Sequence, residues 1–337
     1  MFVGMSPMRI SFAGGGTDMP EYYEKYNGSV VSTTIDLFTY LVYNPRTDDS
    51  IQAFASDFES YQGLKKFKDL EYQVGTEIAI SAVKLLNFKQ GGDYLISSNV
   101  KPGSGLGGSS SLAVNCVKTI STLQNKKFSN TEIAEMAFHI ERNILNHPVG
   151  KQDDYIAAFG GFIFIDFNSN GIKVSPIKLS SSVSSELQEN LMLFSMETTR
   201  KSSVVLKNQL ELTKNENKDI LKSLHYVKKL SEELHDSLKS SDLQNFAEVL
   251  NKGWNAKKKF TKEVTNDKID KIYELALSNG AIGGKITGAG AGGHILLYCE
   301  KNKQNQVKEK LKKLKLTFVN FNFHSNSPKV INLYEHK

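Results

Sequence analysis

Three glycine-centred segments and one pair of neighbouring acids hold the side chains of this 337-residue chain that could do chemistry. In VKPGSGLGGSSSLAV, residues 100–114, eight of fifteen residues are Gly or Ser, and the run leads straight into an apolar segment. Glycines let backbone amides approach a ligand closely, and a helix N-terminus carries partial positive charge; together they make an anion site. Ser110 and Ser111 are placed to cap that helix. An ordinary strand-to-helix turn would not need three glycines so close together, because each costs conformational entropy. Phosphate binding is therefore the expectation.

Which phosphate ligand follows from context. Gly103-x-Gly105-x-x-Gly108 has the spacing of a dinucleotide fingerprint. That reading needs a strand immediately before the glycines and an acid about 20 residues later, after a second strand. Pro102 interrupts the approach, and no acid follows until Glu132. The same spacing recurs at Gly288, Gly290 and Gly293, which shows how little it specifies. A Walker A loop needs Lys followed by Ser or Thr, and Lys285 is followed by Ile286.

In RISFAGGGTDMPEYY (9–23) a strand runs into three glycines and then Thr17 and Asp18, where Asp18 reads equally as a helix cap. In IERNILNHPVGKQDDYIAAFGG (140–161), Glu141 lies beside an apolar helical stripe. A partly buried acid needs a partner, and Mg²⁺ is one. Asp153 and Asp154 follow a Pro-Val-Gly turn, where an acid is first a cap and second a base.

The elements that must position these residues are mixed. RISFA (9–13), SVVSTTI (29–35), FTYLVYN (38–44), GDYLISS (92–98) and GFIFIDF (161–167) read as strands. Leu112, Cys116, Ile120 and Leu123 have helical spacing, and Ser129 with Glu132 forms a capping box for a helix through Ile133, Met136, Ile140 and Ile144. The Ser-rich run LSSSVSSELQEN (179–190) is the candidate domain boundary; beyond it helices dominate, one of them long and lined by Ile220, Leu224, Val227, Leu234 and Leu238. The pattern is α+β, not regular βαβ alternation.

Composition excludes several classes. The chain is 39% apolar and 23% charged, with a net charge of +6. The densest basic run, KEKLKKLKL (308–316), reads as an amphipathic helix with solvated lysines. Nucleic-acid binding would want a basic face with interleaved aromatics, and none is present. Mild positive charge favours phosphorylated ligands. Two cysteines give neither a disulfide framework nor a metal pair. MFVGMSPMRI lacks the features of a signal peptide, and no run approaches the ~18 apolar residues of a membrane span. A cytoplasmic protein with no nucleic-acid or membrane partner is expected.

RISFAGGGTD near the start, PGSGLGGSSSL in the middle, GKQDD about fifty residues later and KITGAGAGG towards the end stand in this order. In them the chain resembles the GHMP small-molecule kinases, the family of galactokinase, homoserine kinase, mevalonate kinase and phosphomevalonate kinase. The resemblance spans essentially the whole chain. AGGGTD is similar to the branch of sugar 1-kinases acting on heptose 7-phosphate or fucose. RISFAGGGTDMPEYY, GKQDDYIAAFGGF and ETTRKSS are most similar to the D-glycero-D-manno-heptose 7-phosphate kinases within it. The resemblance implies a two-domain α+β fold, with a mixed-sheet ATP-binding domain (1–182), a helix-rich α+β C-terminal domain (183–337) and the active site between them. It implies ATP-dependent phosphorylation of the anomeric O1 of heptose 7-phosphate to the 1,7-bisphosphate, for nucleotide-activated heptose and surface polysaccharide, by a monomer or homodimer.

It also implies roles. Lys101, Pro102, Gly103, Ser104, Gly105, Leu106, Gly107, Gly108, Ser109 and Ser110 would wrap the ATP phosphates. Ser109 and Glu141 would hold Mg²⁺, although Gly108 stands where many relatives have the first serine, so Ser110 stays open. Asp153 would be the catalytic aspartate and Arg9 the cation near the transferring phosphate. Gly15, Gly16, Thr17 and Asp18 would contact the sugar, and Gly288, Ala289 and Gly290 would close over nucleotide and substrate. For a phosphate carried by the sugar, Arg200 and Lys201 at a helix start form a candidate second anion site, the bland alternative being a solvated charged helix start. The rivals are an L-fucose or other sugar 1-kinase, an ATP-using decarboxylase of the same fold and a non-catalytic sugar sensor.

Overall fold

The structure, a computed structural model, describes residues 1–196 and 202–334. Thirteen strands form two sheets among these residues. The first sheet contains β1 (Phe2–Ala13), β2 (Gly28–Pro45), β3 (Ser50–Ala55), β4 (Ser60–Lys66), β5 (Gly92–Ser98), β6 (Phe162–Asn168) and β7 (Gly171–Pro176). The second contains β8 (Leu191–Ser195), β9 (Ala281–Ile286), β10 (His294–Cys299) and β11 (Thr317–Val319). The chain then returns to the first sheet: β12 (Phe323–His324) pairs β2 and β13 (Lys329–Asn332) pairs β1. Among the described residues the only parallel pair is β3 with β5, so the sheet is mixed and the α+β expectation holds.

The long strand β2 joins the two runs that the sequence separates at Asp36-Leu37. Its Val, Thr, Ile, Phe and Tyr content favours one pleated ribbon of 18 residues, and the break survives only as a bulge: Pro7 of β1 pairs Phe38 and Met8 pairs Ile35, which leaves Asp36 and Leu37 without partners on β1. Proline lacks the N–H that a regular ladder would use. The N-terminal half of β2 pairs β6 and its C-terminal half pairs β5, so β2 spans the sheet.

Three apolar cores hold the halves together. One packs the helices Glu77–Leu85, Gly108–Leu123 and Asn130–His139 on the first sheet, through residues such as Val117, Ile120 and Ile133. A second, around Trp254, Tyr273 and Ile295, belongs to the C-terminal half. The third joins the two: Met8, Ile10 and Phe12 of β1 meet Leu230, Leu234, Phe246 and Leu250, with Phe12 and Phe246 edge-to-face at 5.2 Å. Arg9 alternates with these core residues, so packing of β1 fixes where its side chain emerges.

The long helix Lys218–Lys239 buries the apolar stripe read from its spacing. The Ser-rich run forms the helix Ser181–Asn190, capped by the Ser180 hydroxyl on the amide of Val183, and leads from β7 of the first sheet to β8 of the second. The helix expected through Ile144 ends as an α-helix at His139 and continues as a π turn, Ile140–Ile144. That turn carries Glu141, and such bulges often re-aim a functional side chain. No helix among the described residues is long and apolar enough to cross a membrane.

Candidate active site

A cleft of about 370 Å³ opens between the two halves. Part of its wall is apolar, lined by Ala55, Phe58, Ile78 and Ile96. Another part is the glycine run, through its residues from Lys101 to Gly105 and from Gly107 to Ser110. A smaller cavity of about 70 Å³ adjoins it and shares Arg9, Asp153, Gly288 and Ala289.

The glycine run leads directly into a helix, as its sequence predicts. It ends in the 16-residue helix Gly108–Leu123, whose N-cap Gly107 is left-handed (φ 75°) and offers no side-chain cap. The first amides of that helix are thus left for a ligand. The expected serine caps are corrected: Ser110 Oγ donates to Glu141, and Ser111 Oγ to the Ser6 carbonyl at 3.0 Å. Gly105 has φ +76°, and a Cβ there would lie 2.7 Å from the Thr287 carbonyl oxygen. The N-terminal glycine loop therefore abuts the C-terminal one. Gly105→Ala is expected to push the loops apart and raise the KM for ATP at least tenfold, measurable by initial rates, with about 1–2 kcal/mol of stability lost to the positive φ.

Arg9 and Asp153 meet face to face. The Arg9 Nε donates to Asp153 Oδ1 at 2.6 Å, and Nη2 donates to Oδ2. The third arm, Nη1, donates to the Gly105 carbonyl at 2.6 Å. Arg9 is 4% exposed and Asp153 opens onto both cavities. Asp153 is in the first turn of the helix Gln152–Phe159 but caps nothing; the position read first as a cap is an ion pair. A bidentate guanidinium fixes both the position and the charge of a carboxylate.

Glu141 is fully buried and accepts from both Ser109 and Ser110, the latter at 2.5 Å. Hydroxyl and carboxylate oxygens form a hard donor set that suits Mg²⁺, which also keeps waters and phosphate oxygens in its shell. Among the described residues no cluster of three or more His, Cys, Asp or Glu exists to make an all-protein metal cage. His147 Nδ1 lies 3.9 Å from Glu141, which raises the imidazole pKa. Asp154 is fully buried with neither oxygen hydrogen-bonded to a donor; burial first, then the Glu141 charge, hold its pKa well above the carboxylate range.

Asp18 is 2% exposed, and its carboxylate accepts from the amides of Gly16 (2.8 Å) and Gln152 (3.1 Å) and from Gln152 Nε2 (3.0 Å). It lines the small cavity but spends these acceptors on tying the first glycine loop to the 150–152 turn. Burial raises its pKa all the same. Gly15, Gly16, Gly288 and Ala289 line that cavity too, and Gly290 lines the larger one. Two expected residues turn elsewhere. Thr17 is fully buried, its hydroxyl bonded to the Gly14 and Ser29 carbonyls, and the Leu106 side chain joins the inter-domain core. Arg200 and Lys201 lie outside the described residues.

Sequence reasoning passed over two lysines. Lys257, the last residue of the helix Leu243–Lys257, lines the small cavity and donates to the Gly288 carbonyl. Loss of water around its ammonium, with the charge of Arg9, lowers its pKa to about 8. Lys285 on β9 is 7% exposed, donates to the Phe12 carbonyl at 3.1 Å, and is pushed well below the usual lysine range by burial and by Lys257. Gln152 and Ser11, bonded at 2.8 Å, complete the wall. The run Lys257–Lys259 after Trp254 has no role legible in the sequence, and only the burial of one of the three distinguishes it.

Comparison with known proteins meets this geometry. The GHMP kinases N terminal domain matches residues 76–161, and GHMP kinases C terminal matches residues 234–315. A D-glycero-alpha-D-manno-heptose 7-phosphate kinase of Campylobacter jejuni is 33% identical over 324 residues, covering 94% of this chain and 95% of that protein. The crystal structure of a putative sugar kinase from Campylobacter jejuni, 32% identical, superposes with a TM-score of 0.78 over 98% of both chains. A D-glycero-D-manno-heptose 1-phosphate kinase from Bacteriodes thetaiotaomicron shares the fold, with a TM-score of 0.83 at 23% identity over 99% of this chain and 100% of that one.

Proposed function

The chain belongs to the GHMP kinase family and is a sugar kinase using ATP, and from that premise we propose that it phosphorylates the anomeric hydroxyl of a D-glycero-D-manno-heptose 7-phosphate. The observation that carries the reading is the clasp of Asp153 by Arg9 at the junction of the large cleft with the small cavity. The 33% identity with a heptose 7-phosphate kinase supports the choice of sugar.

Phosphoryl transfer asks a protein mainly for position and charge. The nucleotide base occupies the apolar part of the cleft and its phosphates the glycine run, against the amides that start the helix Gly108–Leu123. Ser109 and Glu141 would hold Mg²⁺; Ser109 is the exposed hydroxyl of the two serines, and Ser110 is 4% exposed. When bound, the ion offsets charge on the phosphate oxygens. Asp153 orients the sugar O1 and accepts its proton as the O1–phosphorus bond forms and the bond between the γ-phosphorus and the bridging oxygen breaks, releasing ADP. An anomeric hydroxyl is more acidic than an ordinary alcohol, so a carboxylate suffices. Arg9 keeps Asp153 in place and lies beside the moving charge.

The test is ADP release with ATP and Mg²⁺ across heptose 7-phosphate, mannose 6-phosphate, fucose, galactose and mevalonate. The expected result is a kcat/KM for heptose 7-phosphate at least 10²-fold above fucose and galactose, since a site built for a charged group rejects analogues lacking it, with mannose 6-phosphate and mevalonate also poorer because their anionic groups sit at a different distance from the acceptor oxygen. A preference for fucose would replace the substrate and keep the chemistry.

A further inference from the structure

We propose that Lys257 is a second cation on the phosphoryl group in flight, reaching the reaction centre from the C-terminal half as Arg9 does from the N-terminal half. The inference rests on the kinase reading above and adds a residue to it. Lys257 lines the small cavity together with Arg9, Asp18 and Asp153. Its ammonium donates to the Gly288 carbonyl, and a Cβ on Gly288 would come within 2.8 Å of the Gly105 Cα. The Gly105 carbonyl is in turn the acceptor of Arg9 at 2.6 Å. The two cations thus flank one contact, where the two glycine loops touch.

The charges around Lys257 leave a place for an anion. Arg9 from β1 is engaged by Asp153 of the helix Gln152–Phe159. Asp18, from the loop after β1, is engaged by the amides of Gly16 and Gln152. Lys285 of β9 donates to a carbonyl. Among the described residues Lys257 has no carboxylate within ion-pair distance, and it bonds a neutral carbonyl instead. A poorly hydrated ammonium without a counter-charge is costly, and an incoming anion relieves that cost. The group beside both Arg9 and Asp153 is the phosphoryl moving to the acceptor oxygen. A phosphate on O7 of a seven-carbon sugar is carried by a carbon six along the chain from C1, so it is a group separate from the one being transferred to O1.

The test compares wild type, Lys257→Met and Lys257→Arg with ATP, Mg²⁺ and whichever sugar the wild type phosphorylates. Lys257→Met is expected to lower kcat by about 10²–10³, the loss typical of one electrostatic contact to a transition state, with the Kd for ATP within about twofold. Lys257→Arg is expected to restore most of kcat. The pH profile separates this from a packing role. The protonated lysine is the working form, so wild-type kcat/KM falls as pH rises through about 8. In Lys257→Arg the limb owed to Lys257 disappears, because arginine does not titrate there. Full kcat in Lys257→Met, or a loss confined to the KM of a phosphorylated sugar, overturns the proposal. So does an alkaline limb that persists unchanged in Lys257→Arg, a result obtained even if Lys257→Met fails to fold. Absence of any phosphoryl transfer by the wild type overturns the kinase reading itself and this proposal with it.

Discussion

Asp153→Asn is expected to reduce kcat by about 10²–10⁴ while ATP affinity stays within about twofold, the pattern left by removing a general base from a phosphate site that is otherwise intact. The carboxylate touches none of the glycine run that the nucleotide phosphates would occupy; its two partners are the Nε and Nη2 of Arg9. Asparagine keeps the volume and one acceptor oxygen. It puts an NH₂ opposite a guanidinium NH₂, so one of the two hydrogen bonds is lost and Arg9 keeps an uncompensated charge at 4% exposure. A Tm drop of a few degrees should accompany the rate loss, and calorimetry of nucleotide binding separates the two effects. Turnover at the wild-type rate would remove Asp153 from the chemistry. A loss of ATP binding equal to the loss of rate would make the Arg9–Asp153 clasp a scaffold for the glycine loop, which Arg9 also holds through Gly105.

How much of this was legible depended on the range of the interaction. Local signals are legible. The capping box at Ser129 and Glu132 forms as its spacing demands, and GDYLISS is a strand residue for residue. The helix after the glycine run covers Gly108–Leu123 because Leu112, Cys116 and Ile120 all face the core. Arg9 and Asp153 stand 144 positions apart, and no periodicity links them; four motifs in a family's order did. Lys257 was invisible for another reason. On the amphipathic helix Leu243–Lys257, a terminal lysine looks solvated, and only the glycine loop of Thr287–Gly290 folding over it takes the ammonium from water. The return of β12 and β13 to the first sheet was likewise unreadable, since strands of two and four residues carry too few side chains to show a period.

Glu141→Gln is expected to raise the Mg²⁺ concentration for half-maximal rate at least tenfold and to lower kcat by about 10²–10³, since one metal-bound carboxylate is worth several kcal/mol of charge stabilisation and each 1.36 kcal/mol is tenfold. The side chain is fully buried in the π turn Ile140–Ile144, so glutamine fits the same space. Its carbonyl can still accept from one serine, and the other hydroxyl can accept from its amide, so the fold survives and the missing charge is what the assay reads. Asp154, whose raised pKa owes its second cause to the Glu141 charge, ionises more easily in this variant and partly replaces that charge. Residual activity in Glu141→Gln should therefore increase with pH, and Glu141→Gln/Asp154→Asn should abolish the increase. The serines divide the same question by exposure. Ser109→Ala should raise the Mg²⁺ requirement, whereas Ser110→Ala, which strands a buried Glu141 oxygen, should register mainly as about 1–3 kcal/mol of lost stability. An Mg²⁺ titration of Glu141→Gln superimposable on wild type would mean that Glu141 serves the fold, holding Ser109 and Ser110 at the start of their helix, and that the ion is held by the nucleotide alone.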